Sequence, residues 1–258
     1  MNKKGVTMKV VLILLCLMAP LCFCTDSFCA SPDRLSEAQI QKGIDRIEKA
    51  AKEGDATAQY RLGVIYGKGV GVPKDKAKAF EWFKKAAEQG HVKAQNVLGI
   101  MLSNGEVGPR DYVEARKWFE KAAAQGDPMA NYSLGLLYFH GHGVTKDVDK
   151  ARELWEKAAN KGIKNAQYNL GLLYYSGKDA KQDYAKARKW FEMAAAQNDT
   201  HAQMILGLMY EGGEGVKKDI ATAREWYDKA CKRGFKEACT ALDRVNGQSR
   251  QVIILEKL

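Results

Sequence analysis

Residues 55–90 read DATAQYRLGVIYGKGVGVPKDKAKAFEWFKKAAEQG, and most of the chain consists of copies of this stretch. Its Leu62-Gly63 step returns as Leu98-Gly99, Leu134-Gly135, Leu170-Gly171 and Leu206-Gly207, every 36 residues and without insertions. A fixed period of this size marks a stacked repeat array. Each unit of such an array touches mainly its neighbours, so the product is an extended surface rather than one enclosed cleft.

Within the unit, Ala58, Leu62, Ile65 and Tyr66 fall on one face at helical spacing. Asp55 precedes them as an N-cap, repeated at Asp127 and Asp199, and Gly67 and Gly69 close the helix. The second half opens at Asp75, matched by Asp111, Asp147, Asp183 and Asp219. It continues through Ala79, Trp82, Phe83, Ala86 and Ala87, a second apolar stripe. Gly90, Gly126, Gly162 and Gly234 end it, with Asn198 taking the same left-handed role once. Each unit is therefore read as two antiparallel helices joined by a loop of about six to eight residues. Ala58, Gly63, Ala86 and Ala87 permit close helix approach, and Trp82 and Tyr66 are expected to fill the space between. The five units are 55–90, 91–126, 127–162, 163–198 and 199–234.

Both ends read as caps. Residues 31–54 contain a helix that aligns with the second half of a unit, with Arg46 in place of tryptophan and Ser36 with Gln39 as a capping box. Residues 235–247 form a lone first helix in which Asp243 replaces glycine and Asn246-Gly247 is the stop. The tail, 248–258, carries the apolar run Val252-Ile253-Ile254-Leu255; it is read as packing over the last repeat, or as a segment offered to a partner.

The start of the chain bears on the compartment. Lys3, Lys4 and Lys9 precede an apolar run from Val10 to Cys24, interrupted by Pro20. Basic residues, a short apolar core and then polar residues are the layout of a secretory signal peptide, here residues 1–30 with the cut between 24 and 30. Membrane contact is expected only through this segment if it is uncleaved. The expected location is a bacterial periplasm or the medium. Of six cysteines, Cys16, Cys22 and Cys24 lie in the leader. A cut after Ala30 leaves Cys231 and Cys239, suited to one bridge or else two buried thiols; an earlier cut leaves Cys29 as an odd thiol. An oxidising compartment favours the bridge.

The formal charge of +10 becomes +8 without residues 1–30, which hold three lysines and one aspartate. Lys85, Lys121, Lys157 and Lys229 recur at one repeat position, as expected of solvated outer faces. No dense basic run interleaved with aromatics points to nucleic acid.

The pattern Ala-Gln-x-x-Leu-Gly, then Tyr, then Gly-x-Gly-Val-x-Lys-Asp, then Ala-x-x-Trp-Phe-x-Lys-Ala-Ala resembles the Sel-one-like repeat family, relatives of the tetratricopeptide repeats. The resemblance covers about residues 40–245. It implies an all-α fold, a right-handed superhelical solenoid of antiparallel helix pairs whose first helices line a concave surface. It also implies a role as an adaptor or scaffold that binds a protein or peptide. Cys231 and Cys239, with seven residues between them, resemble the bridging pair of a secreted, cysteine-rich bacterial branch. There the bridge joins the second helix of one unit to the first helix of the next. The other junctions of this chain depart from that branch, with Ala87/Gln95, Ala123/Asn131, Ala159/Gln167 and Ala195/Gln203 at those positions.

With Ala58, Leu62 and Ile65 turned inward, positions 57, 61, 64 and 68 form a second stripe on the first helix, flanked by position 60. The columns Tyr60/Arg61, Asn96/Val97, Tyr132/Ser133, Tyr168/Asn169 and Met204/Ile205 vary between units, as do the helix ends Phe139, Tyr175 and Glu211. Columns released from packing are free to follow a ligand, and tyrosines offer large contact area at low entropic cost. These residues are the candidate binding site. Ser-x-x-Lys, Ser-Asp-Asn and Lys-Thr-Gly are all missing, and with them the serine β-lactamase machinery. His140-Gly-His142 is a close pair without the further ligands a zinc site needs. No catalytic residue, metal or cofactor is expected. The alternatives to a scaffold are a β-lactam-binding or weakly hydrolysing envelope protein and a secreted effector.

Overall fold

A computed structural model describes residues 36–247. The expectations for the leader, Cys29 and the tail lie outside the described residues. The chain divides into two compact units, Met1–Gly43 and Ile44–Leu258. In the first, the Ser36 amide donates to Gln39 Oε1 at 2.8 Å and the Gln39 amide to Ser36 Oγ at 3.3 Å, the reciprocal pair of a capping box. They open helix α1 (Glu37–Lys52).

The described residues contain twelve helices and no strand. After α1 come α2 (Ala56–Lys68), α3 (Lys76–Glu88), α4 (Val92–Asn104), α5 (Tyr112–Ala124), α6 (Pro128–His140) and α7 (Val148–Asn160). Then follow α8 (Lys164–Ser176), α9 (Tyr184–Ala196), α10 (Thr200–Gly212), α11 (Ile220–Cys231) and α12 (Lys236–Val245). From α2 onward each helix packs on the next in sequence, which makes an all-α solenoid of stacked antiparallel pairs.

Local chemistry sets the helix ends. Asp75, Asp111, Asp147 and Asp183 each accept an amide three residues on at 2.9 Å. At the other ends Gly69, Gly105, Gly141, Gly177 and Gly213 take left-handed conformations, and Asn198, at φ 64°, replaces glycine as expected.

The Leu-Gly step is explained by the helix that packs across it. A Cβ placed on Gly63, Gly99, Gly135, Gly171 or Gly207 would lie 2.3–2.7 Å from the ring of Phe83, Phe119, Trp155, Phe191 or Tyr227 respectively. That ring column is buried throughout, at 5%, 2%, 2%, 0% and 0% exposure. The expected fillers, Trp82 and Tyr66, are only half-buried. Trp82, Trp118 and Trp226 instead carry a lysine from one helical turn further on: Lys85, Lys121 and Lys229 stand 4.4, 4.0 and 4.1 Å from the ring centroids. Such exposed cation–π contacts are worth about 0.5–1 kcal/mol each. Three of the four outer-face lysines therefore also pack.

A hydrogen-bonded column crosses the junctions. The side-chain amides of Gln59, Gln95, Gln167 and Gln203, all buried, donate to the carbonyls of Ala51, Ala87, Ala159 and Ala195 at 3.0–3.2 Å. Gln89, Gln125 and Gln197 then donate to the Oε1 atoms of Gln59, Gln95 and Gln167 at 2.7–2.9 Å. At the last junction the same two repeat positions hold Cys231 and Cys239, joined in a disulfide that ties α11 to α12. This residue pair links every junction but that of Ala123 and Asn131, where the shorter Asn131 side chain donates instead to the Asp127 carbonyl at 3.0 Å, and its chemistry changes from hydrogen bond to covalent bond where the array ends.

Candidate interaction groove

Two open grooves lie between successive first helices. One, of about 480 Å³, sits between α6 and α8 and is lined by Tyr132, Leu136, Phe139, Trp155, Asn169 and Leu172, with His140, Leu173, Ser176 and Asp179 completing it. The other, of about 380 Å³, sits between α4 and α6, where Ile100, Met129, Tyr132, Ser133, Leu136 and His140 meet Arg110 and His142 from the loops and Tyr112 from the start of α5. Leu136 and Tyr132 line both, which makes them continuous across α6. A larger recess of about 610 Å³ beside α3, lined by Trp82 and Lys85 among others, lies away from this face.

The 57/61/64/68 stripe accounts for this face. Ile100, Leu136 and Leu172 correspond to position 64, Ser133 and Asn169 to position 61, and Asn104, His140 and Ser176 to position 68. The helical period aims these positions away from the Leu-Gly contact and toward the neighbouring first helix.

Of the singled-out residues, the two grooves bring together Tyr132, Ser133, Phe139 and Asn169. The others stand elsewhere. Tyr60 is half-buried, tilted against Phe83 at 5.7 Å and stacked on His91 at 4.6 Å. Tyr168 occupies the same niche between Phe191 and His201. Asn96 is buried at 8% exposure, and its Oδ1 has no partner. Val97, Met204 and Ile205 are partly buried against core clusters, whereas Arg61 is exposed. Tyr175 donates its hydroxyl to Glu214 Oε2 at 2.6 Å and meets Tyr184 edge-on at 5.4 Å, tying α8 to α9 and to the loop after α10. Residues missing from the column comparison are Leu136, Leu172 and His140; positions 64 and 68 of the stripe and their helical spacing were the signal for them.

The electrostatics are mild. Burial raises the Tyr132 phenol, partly offset by hydrogen bonds with Asn169 and Asn165. Burial likewise lowers His140, helped by His142 and Lys146, so its neutral ring is favoured. The His140 and His142 rings stack with centroids 5.3 Å apart. Among the described residues no three His, Cys, Asp or Glu side chains gather in a way that would hold a metal ion. The groove offers apolar and aromatic contact with a polar rim.

A stacked helix-pair array with an apolar groove along its first helices defines an α-solenoid of the repeat class. The chain belongs to the Sel1 repeat family: residues 56–91, 92–127, 128–163, 164–199 and 200–235 each match the Sel1 repeat. It is similar to the crystal structure of a protective antigen present in uropathogenic Escherichia coli strains and displaying an SLR fold. That match has 36% identity and a TM-score of 0.75 and covers 78% of this chain and 43% of the antigen. The chain thus spans less than half the length of that relative. A Sel1 repeat protein from Oxalobacter formigenes is 33% identical over 81% of this chain and 91% of its own, with a TM-score of 0.71. A third neighbour, from Klebsiella pneumoniae subsp. pneumoniae, is 28% identical with a TM-score of 0.53, covering 79% of this chain and 99% of that one. No curated protein matches. Among the described residues no helix is long and apolar enough to cross a membrane.

Proposed function

We propose that this protein is an exported interaction scaffold that holds a peptide or a protein segment along the first-helix groove, without catalysis. Sel1-repeat proteins are generally protein–protein interaction scaffolds. The observation that carries the reading for this chain is the pair of continuous grooves over α4, α6 and α8, lined by Ile100, Tyr132, Leu136, Phe139 and Leu172. Apolar side chains left in open grooves, rimmed by polar ones, are the anatomy of a recognition surface. Tyr132 and Phe139 supply rigid aromatic contact area of the kind found at interface centres. Export is supported by the leader and by the Cys231–Cys239 disulfide, a bond that persists in oxidising compartments.

The test is comparative capture from an envelope extract of the native cell. The full chain and its Tyr132→Ala/Leu136→Ala/Asn169→Ala variant are immobilised side by side after circular dichroism has shown equal helicity. A protein retained by the first and lost by the second supports the reading. Equal retention by both places binding off the groove and refutes it.

A further inference from the structure

We propose that the occupant of the groove is an extended acidic–apolar segment, with its carboxylates over α2 and α4 and a large apolar anchor between α6 and α8; this rests on the groove reading above. Across the five units, the four stripe positions that begin as 57, 61, 64 and 68 contain no aspartate or glutamate, although the chain has 31. The second helices are different: they carry both signs and pair them locally, as in Arg116–Glu120, Arg152–Asp149 and Arg188–Glu192. Among the residues lining the two grooves the single carboxylate is Asp179, already paired with Lys146 at 2.8 Å.

The cations on this face are unevenly placed. Arg61, Lys68 and Lys93, on α2 and α4, are exposed, and none forms an ion pair with a described residue. Arg110 joins them at the mouth of the α4–α6 groove, where its guanidinium donates to the Tyr112 hydroxyl at 3.3 Å and forms no ion pair with a described carboxylate. Further along, the stripe turns neutral and apolar through Asn169, Leu172, Ile205 and Leu208. At the far end Arg244 is neutralised by Glu211, through Nη2 to Oε2 at 2.8 Å and a second contact from Nη1. The first-helix face therefore carries cations without a described carboxylate partner on α2 and α4, and open apolar surface between α6 and α8. Charge complementarity across an interface sets orientation and the rate of encounter.

The repeat geometry gives the spacing. Packed helices lie about 8–10 Å apart. Two repeats on, the α6–α8 groove is then roughly 20 Å from the α2–α4 cations. An extended chain advances about 3.3 Å per residue, so acidic residues and anchor are separated by about six residues.

The experiment is selection of a random-peptide display library on the full chain. The enriched peptides are then synthesised, and their binding is followed by fluorescence anisotropy at low and high salt. The wild type is expected to enrich peptides with Asp or Glu about six residues from a Leu, Phe or Trp. The Arg61→Glu/Lys68→Glu/Lys93→Glu variant is expected to bind them about tenfold more weakly at low salt, with the difference shrinking as salt rises. Selection on that variant should enrich Lys or Arg at the same place. Leu136→Ala/Leu172→Ala and, independently, Ser176→Trp, which fills the α6–α8 groove from its exposed rim, should abolish binding of both peptide sets.

Peptides lost by the groove variants but indifferent to charge reversal would overturn the acidic–apolar assignment while leaving the groove in place. Peptides that survive both groove variants, or a wild type that enriches nothing, would overturn the groove reading and this proposal with it.

Discussion

Replacing Gly171 with alanine sets two effects of opposite sign against each other. Gly171 lies inside α8, and alanine is the better helix former by about 1 kcal/mol. Against this, the added Cβ would stand 2.5 Å from Phe191 Cε1 and 2.6 Å from Cδ1. Carbon pairs rest at about 3.5–4.0 Å, so one of the two groups must move by about 1 Å. Phe191 has no free side to retreat into, being 0% exposed and packed among Ala187, Leu170 and Tyr174. Overpacking of this kind costs about 1–3 kcal/mol, and an enclosed ring places the cost toward the upper end. Gly171→Ala is therefore expected to be less stable than the wild type by about 1–2 kcal/mol. Urea unfolding followed by circular dichroism measures it, with the midpoint falling and the slope unchanged. Gly43→Ala is the control, because nothing lies within 4 Å of its new Cβ; there the propensity term acts alone and stability should rise. Phe191→Leu placed on the Gly171→Ala background should recover part of the loss, giving a favourable coupling in a double-mutant cycle. A Gly171→Ala protein as stable as the wild type would refute the idea that the Leu-Gly step exists to admit the ring.

Other perturbations follow from the junctions. Gln167→Leu removes both the donor to the Ala159 carbonyl and the acceptor for Gln197, and should cost about 1–3 kcal/mol in the same urea assay; an unchanged midpoint would show that the glutamine column is incidental. Cys231→Ser/Cys239→Ser opens a loop of separation 8; the chain-entropy estimate is a loss of about 2.5 kcal/mol, read as earlier hydrogen exchange in α12. Glu211 is held below its ordinary value of 4.5, first by the hydrogen bond from Arg244 and then by that from Tyr227. Its folded value being the lower one, the stabilisation is complete above the unfolded value and disappears as pH falls through the folded value. The thermal midpoint of the wild type should therefore exceed that of Glu211→Gln at neutral pH, and the two should converge on acidification; a gap that persists in acid would contradict this.

Much of the architecture was legible before any coordinates. Aspartate before most helices, glycine after most of them and apolar residues every three to four positions are local rules, acting within one or two turns. For that reason Asp55, Asp75 and the lone left-handed Asn198 fall where the repeat pattern puts them. The groove was legible only in part. The stripe at 57, 61, 64 and 68 follows from the 3.6-residue period, and it led to Ser133 and Asn169. Column variability was a weaker guide, because a position can vary and still be packed. Tyr60 and Tyr168 change from unit to unit yet sit on their neighbours' histidines, and Tyr175 is engaged by Glu214.

The sequence by itself determined the helices, their ends, the five-fold period and hence the solenoid, since each of these is set by backbone caps and helical phase within a single unit. The tertiary structure alone decided three things. It put the Phe83 column rather than Trp82 against the glycines, and it linked each buried glutamine to the carbonyl eight residues before it. It also opened the grooves where Leu136 and Leu172 face one another across α6 and α8. These depend on the distance and rotation between helices, which arise from the summed packing of all the contacts between them.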